Sequence, residues 1–204
     1  MDTSRMMVMC QPSDPVLSRM SNAIDQRGLR EFLGARMFPE CNWHQTLCGP
    51  YPACLATERA LERACDAALA ARMRAFRLRL NRIRGEHRPA GERTHWSFLC
   101  QGRPSEFDDL LRCLQTEVQP DLPPDTGHTP HVTISYRAPA PLDTLRIQPI
   151  DWLIQQILLV VRQGTGNGWR YEVLQSWELP VMPANERQLE LFAPVCTTVD
   201  PPSP

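Results

Sequence analysis

His44-Gln45-Thr46-Leu47 and Pro130-His131-Val132-Thr133-Ile134 are the two stretches that decide how this chain is read. Each sets a histidine and a threonine two positions apart beside an aliphatic residue. Alternate residues of a β-strand point to one face, so each stretch predicts a strand presenting an imidazole and a hydroxyl side by side. Two such strands facing one another would surround a single anionic group with an acid, a base and two hydroxyl donors. That set suits phosphoryl chemistry without a metal.

Composition bounds the class. With 204 residues, 42% hydrophobic and 22% charged, the chain has the material for one domain or for two small lobes sharing an interface. A net charge of -1 supplies no global attraction for a polyanion or an anionic membrane, so such a partner must meet a local basic patch. The most apolar stretch, 152–161, is half the length of a membrane span, and no apolar leader precedes a small-residue cleavage site. The expected compartment is the cytoplasm, with no membrane association and a monomeric state.

All 22 basic residues are arginine. Without lysine there is no phosphate-loop lysine, no Schiff base and no adenylated lysine, which excludes ATP-dependent ligation through a lysine adenylate. The arginine bias itself reads as a GC-rich coding sequence. Eight cysteines lack regular spacing and a secretory context, so they are expected as reduced, mostly buried thiols. Cys41, His44, Cys48 and Cys54 cluster within fourteen residues but lack the Cys-x2-4-Cys pairs of zinc sites, so no metal is assigned.

Periodicity and turn residues predict a strand at 6–11, a helix opened by Ser13-Asp14-Pro15, a strand at 42–48 ended by Gly49-Pro50, and a helix from Thr57. A hairpin follows from 74–83 and 94–100, then a helix led by a capping box at Ser105-Glu106-Phe107-Asp108. Strands are expected at 131–136, about 153–162 and 169–179. Residues 1–182 are assigned to the folded domain and 183–204 to a largely disordered tail.

This order of elements, with the two His-x-Thr stretches 87 positions apart and Pro130 before the second, resembles the two-histidine (2H) phosphoesterase superfamily. Within it, the likeness is to the bacterial RNA 2′,3′-cyclic phosphodiesterases, also called the 2′-5′ RNA ligase (LigT-like) family. The resemblance implies an α+β fold of two pseudo-symmetric lobes, each an antiparallel sheet backed by helices, with a central cleft bearing both motifs. It implies His44, Thr46, His131 and Thr133 as catalytic residues, no cofactor, and hydrolysis of 2′,3′-cyclic phosphate ends of RNA or nucleotides to 2′-phosphomonoesters. Run in reverse, the same chemistry joins RNA ends through a 2′-5′ bond without ATP. A hydrolase of a 2′-5′ or cyclic oligonucleotide signal would use the same four residues, and a noncatalytic nucleic-acid or clamp-binding adaptor is the reading from another class.

Three departures from that pattern stand out. Gln45 replaces the usual aliphatic residue and needs a hydrogen-bond partner if buried. Tyr136 stands where an arginine often follows the second motif, with Arg137 one position later, where strand alternation turns it away. His95-Trp96-Ser97-Phe98 fits the motif equally well but lacks the preceding proline, and is assigned to an ordinary strand of the hairpin. Substrate contacts are assigned to Tyr136, Arg137, Trp43, Tyr51, and to Arg77 and Arg79, which share one strand face in a segment with eight arginines between 72 and 93. A solvated sheet face is the plain alternative for that stripe. Gln188-Leu189-Glu190-Leu191-Phe192 resembles the Gln-Leu-x-Leu-Phe peptide that docks into the bacterial sliding clamp, and covering the domain's own core is its alternative.

Overall fold

The computed structural model describes residues 4–86, 94–123, 128–164 and 168–181. Eight strands form two four-stranded antiparallel sheets. The first has the order β2-β1-β7-β8, built from β1 (Arg5–Cys10), β2 (Gln45–Pro52), β7 (Gln156–Gln163) and β8 (Arg170–Glu178). The second has the order β5-β4-β3-β6, built from β3 (Phe76–Gly85), β4 (Thr94–Cys100), β5 (His131–Ala138) and β6 (Leu145–Ile154). Each contains a strand, a helix and a motif-bearing edge strand in succession: β1, α1 (Asp14–Asp25) and β2 in one, β4, α4 (Ser105–Val118) and β5 in the other. Both motifs therefore start an edge strand, at equivalent places in two similar units.

The helices form where apolar residues recur at three- and four-residue spacing. α1 buries Val16, Met20, Ala23 and Ile24, α3 (Leu55–Ala70) buries Leu61, Ala64, Cys65 and Ala68, and α4 buries Phe107, Leu110, Leu111 and Leu114. Each large side chain removed from water contributes about 1.5–3 kcal/mol. α1 packs against β6 of the opposite sheet, while α4 packs against α3 and β2. The helices thereby tie the two sheets into one continuous core that includes Val8, Trp43, Phe76, Phe98, Ile134 and Trp152. That shared core fixes one edge strand against the other.

Several local expectations are corrected. The expected strand near 153–162 is β7, which pairs with β1, together with the last two residues of β6; β6 itself pairs with β3 from Leu145 on, where no strand is expected, and Gln155 marks the crossing from one sheet to the other. Polar Gln148 and Asp151 alternate with buried Ile147, Ile150 and Trp152, so β6 has one wet face, whereas five consecutive residues of β7 are buried. A short helix α2 (Leu29–Leu33) and two 3₁₀ turns, Gly34–Arg36 and Glu40–Asn42, occupy a stretch with no periodic signal. β2 begins at Gln45 rather than 42 and continues past Gly49, whose φ of +103° sits at a register shift where an added Cβ would lie 3.0 Å from the Met6 carbonyl. α3 begins at Leu55, where the Cys54 thiol accepts from the Thr57 amide. The capping box does not form, because Pro104 is the N-cap of α4 and the Ser105 hydroxyl bonds Glu106.

Of the cysteines, Cys10, Cys48, Cys65 and Cys100 are buried, Cys41 and Cys54 are exposed, and all the described ones are free thiols. Burial pushes the Cys100 thiol up to about 12. No helix among the described residues is long and apolar enough to cross a membrane. Residues 183–204, including Gln188 to Phe192, lie outside the described part.

Candidate active site

The segment leading into His44 is irregular, and polar contacts hold it. Glu40 accepts from the Ser21 hydroxyl and from the Arg30 guanidinium, both at 2.7 Å, and Arg30 also pairs with Asp25. The side-chain amide of Asn42 donates to the Trp169 carbonyl at 3.0 Å, joining this turn to the start of β8. His44 follows immediately before β2. Its Nδ1 lies 2.7 Å from the Asn42 carbonyl and its Nε2 lies 3.1 Å from the Thr46 hydroxyl.

His131 is held the same way. Its Nδ1 lies 2.8 Å from the Thr129 carbonyl, again two residues upstream. A carbonyl oxygen only accepts, so in both rings Nδ1 carries the proton and Nε2 is the atom left for chemistry. Thr133 accepts from the Ser97 hydroxyl at 3.2 Å and also bonds the Tyr136 hydroxyl.

Gln45 joins the two motifs. It is 1% exposed, its Oε1 accepts from the His131 backbone amide at 2.6 Å, and its Nε2 donates to the Thr46 carbonyl at 2.6 Å. His128 Nε2 lies 3.0 Å from that amide nitrogen and 3.1 Å from the same carbonyl. The His128 ring stands 5.3 Å from His131 and stacks on Phe107. A side chain from the first motif therefore holds the backbone of the second.

Electrostatics act on His44. Burial, followed by the charge of His131, pushes His44 below the usual imidazole value of 6.5, and the hydrogen bond to Asn42 only partly opposes it. His44 is accordingly neutral at pH 7. Burial also raises Tyr136 and Tyr171, with Arg162 opposing both shifts.

The structure sorts the remaining sequence candidates. Tyr136 is at the site, in edge contact with Phe38 at 4.9 Å and against His95 at 4.7 Å. Trp43 is not available to a substrate: it is fully buried against Phe98, because its position between the 3₁₀ turn and β2 points it into the shared core. Tyr51 bonds Cys48 at 3.4 Å and lines a 340 Å³ pocket with Gln115, Gln119, Thr46 and His128, to which neither His44 nor His131 contributes. Arg137 is exposed, its amide bonded to the Ser135 hydroxyl.

Arg77 and Arg79 do share the exposed face of β3, yet they lie opposite Leu153 and Asp151 of β6, and Arg79 approaches Asp151 at 4.0 Å. The cross-strand register instead aligns Arg84 with Ser97 and Thr133, and Arg82 with Leu99 and His131. His95, set aside on sequence grounds, alternates with the buried Trp96 and so lies on the face of Ser97. There it pairs with Glu86 at 3.9 Å. Cys48 is turned to Tyr51 while Cys41 and Cys54 are exposed, and among the described residues no three His, Cys, Asp or Glu side chains are grouped to hold a metal.

The contacts that sequence reasoning missed come from distant segments. Tyr171 meets His44 edge-on at 4.9 Å, Trp169 meets Tyr171 and Phe38 at 5.2 and 5.5 Å, and Arg162 lies 4.8 Å above Trp169. Phe38 and His128 sit in irregular segments without periodicity. The one usable signal was the run of Arg, Trp and Tyr flanking a Gly-rich turn between two strands.

No family model and no curated protein sequence matches this chain. Solved structures do. The apo form of E. coli LigT aligns with a TM-score of 0.66 at 16% identity over 87% of this chain and 98% of LigT. The same protein has been solved complexed with ATP and with 3′-AMP. TT0787 of Thermus thermophilus aligns with a TM-score of 0.69 at 22% identity, covering 86% of this chain and 97% of its own. A further structure described as a phosphoesterase aligns at 0.65 and 16% identity over 88% and 99% of the two chains.

Proposed function

We propose, from a chain that has the LigT-like two-lobed fold, that this protein is a metal-independent phosphodiesterase of 2′,3′-cyclic phosphate ends of RNA or nucleotides. One observation carries the reading: two imidazoles, each fixed through Nδ1 to the carbonyl two residues upstream, belong to the facing edge strands that Gln45 ties together. Each has a threonine two residues on. Nucleotide complexes of the structural relative LigT agree with a nucleotide ligand.

The reaction needs a base on one side of phosphorus and an acid on the other. His44, kept neutral by burial, takes the proton of a water through Nε2, and the hydroxide attacks phosphorus. The bond to the ribose 3′ oxygen breaks. His131, in its imidazolium form, gives its Nε2 proton to that oxygen, leaving a 3′-hydroxyl and a 2′-phosphate. Thr133 donates to a nonbridging oxygen, where negative charge builds up, and Thr46 turns its proton from His44 Nε2 to another as that nitrogen takes up the proton of the water. If a 5′-hydroxyl takes the place of water, the same steps form a 2′-5′ bond.

The test incubates the protein with RNA ending in a 2′,3′-cyclic phosphate and with cyclic mononucleotides, with and without EDTA. Expected is a 2′-phosphomonoester whose formation EDTA does not slow. Cleavage of neither substrate, a 3′-phosphate product, or activity abolished by EDTA and restored by zinc or manganese overturns the proposal.

A further inference from the structure

The β7–β8 hairpin brings to the cleft a cation that neither motif accounts for. Arg162 and Tyr171 are cross-strand partners, so their side chains leave the same face of the sheet. The guanidinium of Arg162 lies 4.8 Å above the Trp169 ring, which Phe38 and Tyr171 brace edge-on. From there the rings continue in both directions, through Tyr171 to His44 and through Phe38 to Tyr136. Arg162 thus caps an aromatic arc whose two ends meet the two motifs.

Tyr171 packs with Met7, Met9, Leu158 and Val160 on the sheet face turned away from the main core and meets the His44 ring, so its cross-strand partner Arg162 leaves the hairpin on the same side as His44. Arg162 forms no ion pair with a described carboxylate, and a guanidinium resting on an indole keeps its N–H fork available to an anion. The Tyr171 ring meets both the His44 ring and the Trp169 ring that carries this cation. Arg162 is thus joined to His44 through two rings, Trp169 and Tyr171, a place suited to a phosphate next to the one that the activated water attacks.

We propose that Arg162, seated on Trp169, binds the phosphodiester adjacent to the reacting cyclic phosphate, so that the cleft selects oligonucleotide ends over cyclic mononucleotides. This rests on the cyclic phosphodiesterase reading above.

The experiment measures kcat/KM for a dinucleotide ending in a 2′,3′-cyclic phosphate and for a cyclic mononucleotide, across a salt series, in wild type, Arg162→Met and Arg162→Lys. The wild type is expected to favour the dinucleotide, and Arg162→Met to cut that preference ratio by at least about tenfold, the worth of a charge-assisted phosphate contact. The salt slope for the dinucleotide should become shallower by roughly 0.7, the value of one contact to a single strand. Arg162→Lys, which keeps the charge, should recover part of both effects.

An unchanged ratio in a normally folded Arg162→Met protein overturns the proposal. So does a loss shared equally by both substrates, which would move Arg162 to the reacting phosphate itself. If the wild type cleaves neither substrate, the phosphodiesterase reading has failed separately. The subsite is then judged by titrating wild type and Arg162→Met with a dinucleotide bearing a 2′-phosphate, where equal affinities reject it.

Discussion

Gln45→Leu isolates the link between the two motifs. The side chain is nearly inaccessible, and leucine fills a similar volume while deleting one acceptor and two donors. Stripping the half-buried His131 amide of its side-chain acceptor costs about 1–3 kcal/mol. The Thr46 carbonyl keeps His128 at 3.1 Å, so its loss is partial, about 1 kcal/mol. Added apolar burial returns about 1 kcal/mol. The net destabilisation is about 2 kcal/mol, which for a domain of this size lowers Tm by roughly 4–8 °C. Because the lost bond positions His131 rather than substrate, kcat should fall more than KM rises. Calorimetry and steady-state kinetics on cyclic phosphate substrates read both effects. A Gln45→Leu protein with wild-type Tm and wild-type kcat would refute the idea that this amide couples the lobes.

Four further outcomes are expected. His44→Ala and His131→Ala should each lower turnover by about a hundredfold or more with the fold intact, while His95→Ala is much milder; a His95→Ala enzyme as inactive as His131→Ala would mean that the histidine pair is misassigned. Thr46→Val and Thr133→Val should reduce kcat more than they change KM, and full turnover in either would return that threonine to strand packing. The pH profile should be bell-shaped, with its acid limb below the usual imidazole value because burial lowers His44; the same depressed group means that stability declines as pH falls below about 6.5 until the folded-state value is passed, and denaturant titrations showing no such decline count against it. A peptide spanning Pro183 to Pro194 should bind a bacterial sliding clamp and lose binding with Leu191→Ala and Phe192→Ala together, and failure of the free peptide to bind removes that partner.

Helix faces were legible in the sequence. The spacing of Val16, Met20 and Ile24 and that of Leu110, Leu111 and Leu114 match the buried stripes of α1 and α4, since a 3.6-residue repeat has no other use for such spacing. The β3–β4 hairpin and the edge strand carrying His131 were equally readable from alternation. Of β6 only the last two residues fall in the strand read at about 153–162, because Arg146, Gln148, Pro149 and Asp151 interrupt its apolar signal while β7 is a continuous apolar run. Pairing with β3 in one case and β1 in the other is a long-range choice that local pattern does not record. Trp43 illustrates the same gap at the level of a single residue: an aromatic beside a catalytic-type histidine looked available for stacking, yet the shared core closes over it.

By itself, the sequence determined the chemistry on offer. Two imidazoles and two hydroxyls at alternate positions, in a chain without lysine, already restrict the plausible reactions, because side-chain type and strand periodicity are local properties. Tertiary structure alone decided how those groups are placed. Burial, which depends on what packs around a side chain, pushes His44 below the usual imidazole value. Gln45 became the bridge between lobes because a residue 86 positions away presents its amide there. Arg162 and its aromatic arc reached the cleft from Phe38, Trp169, Tyr171 and Tyr136, a set that shares no periodicity and meets only when two sheets close over one core.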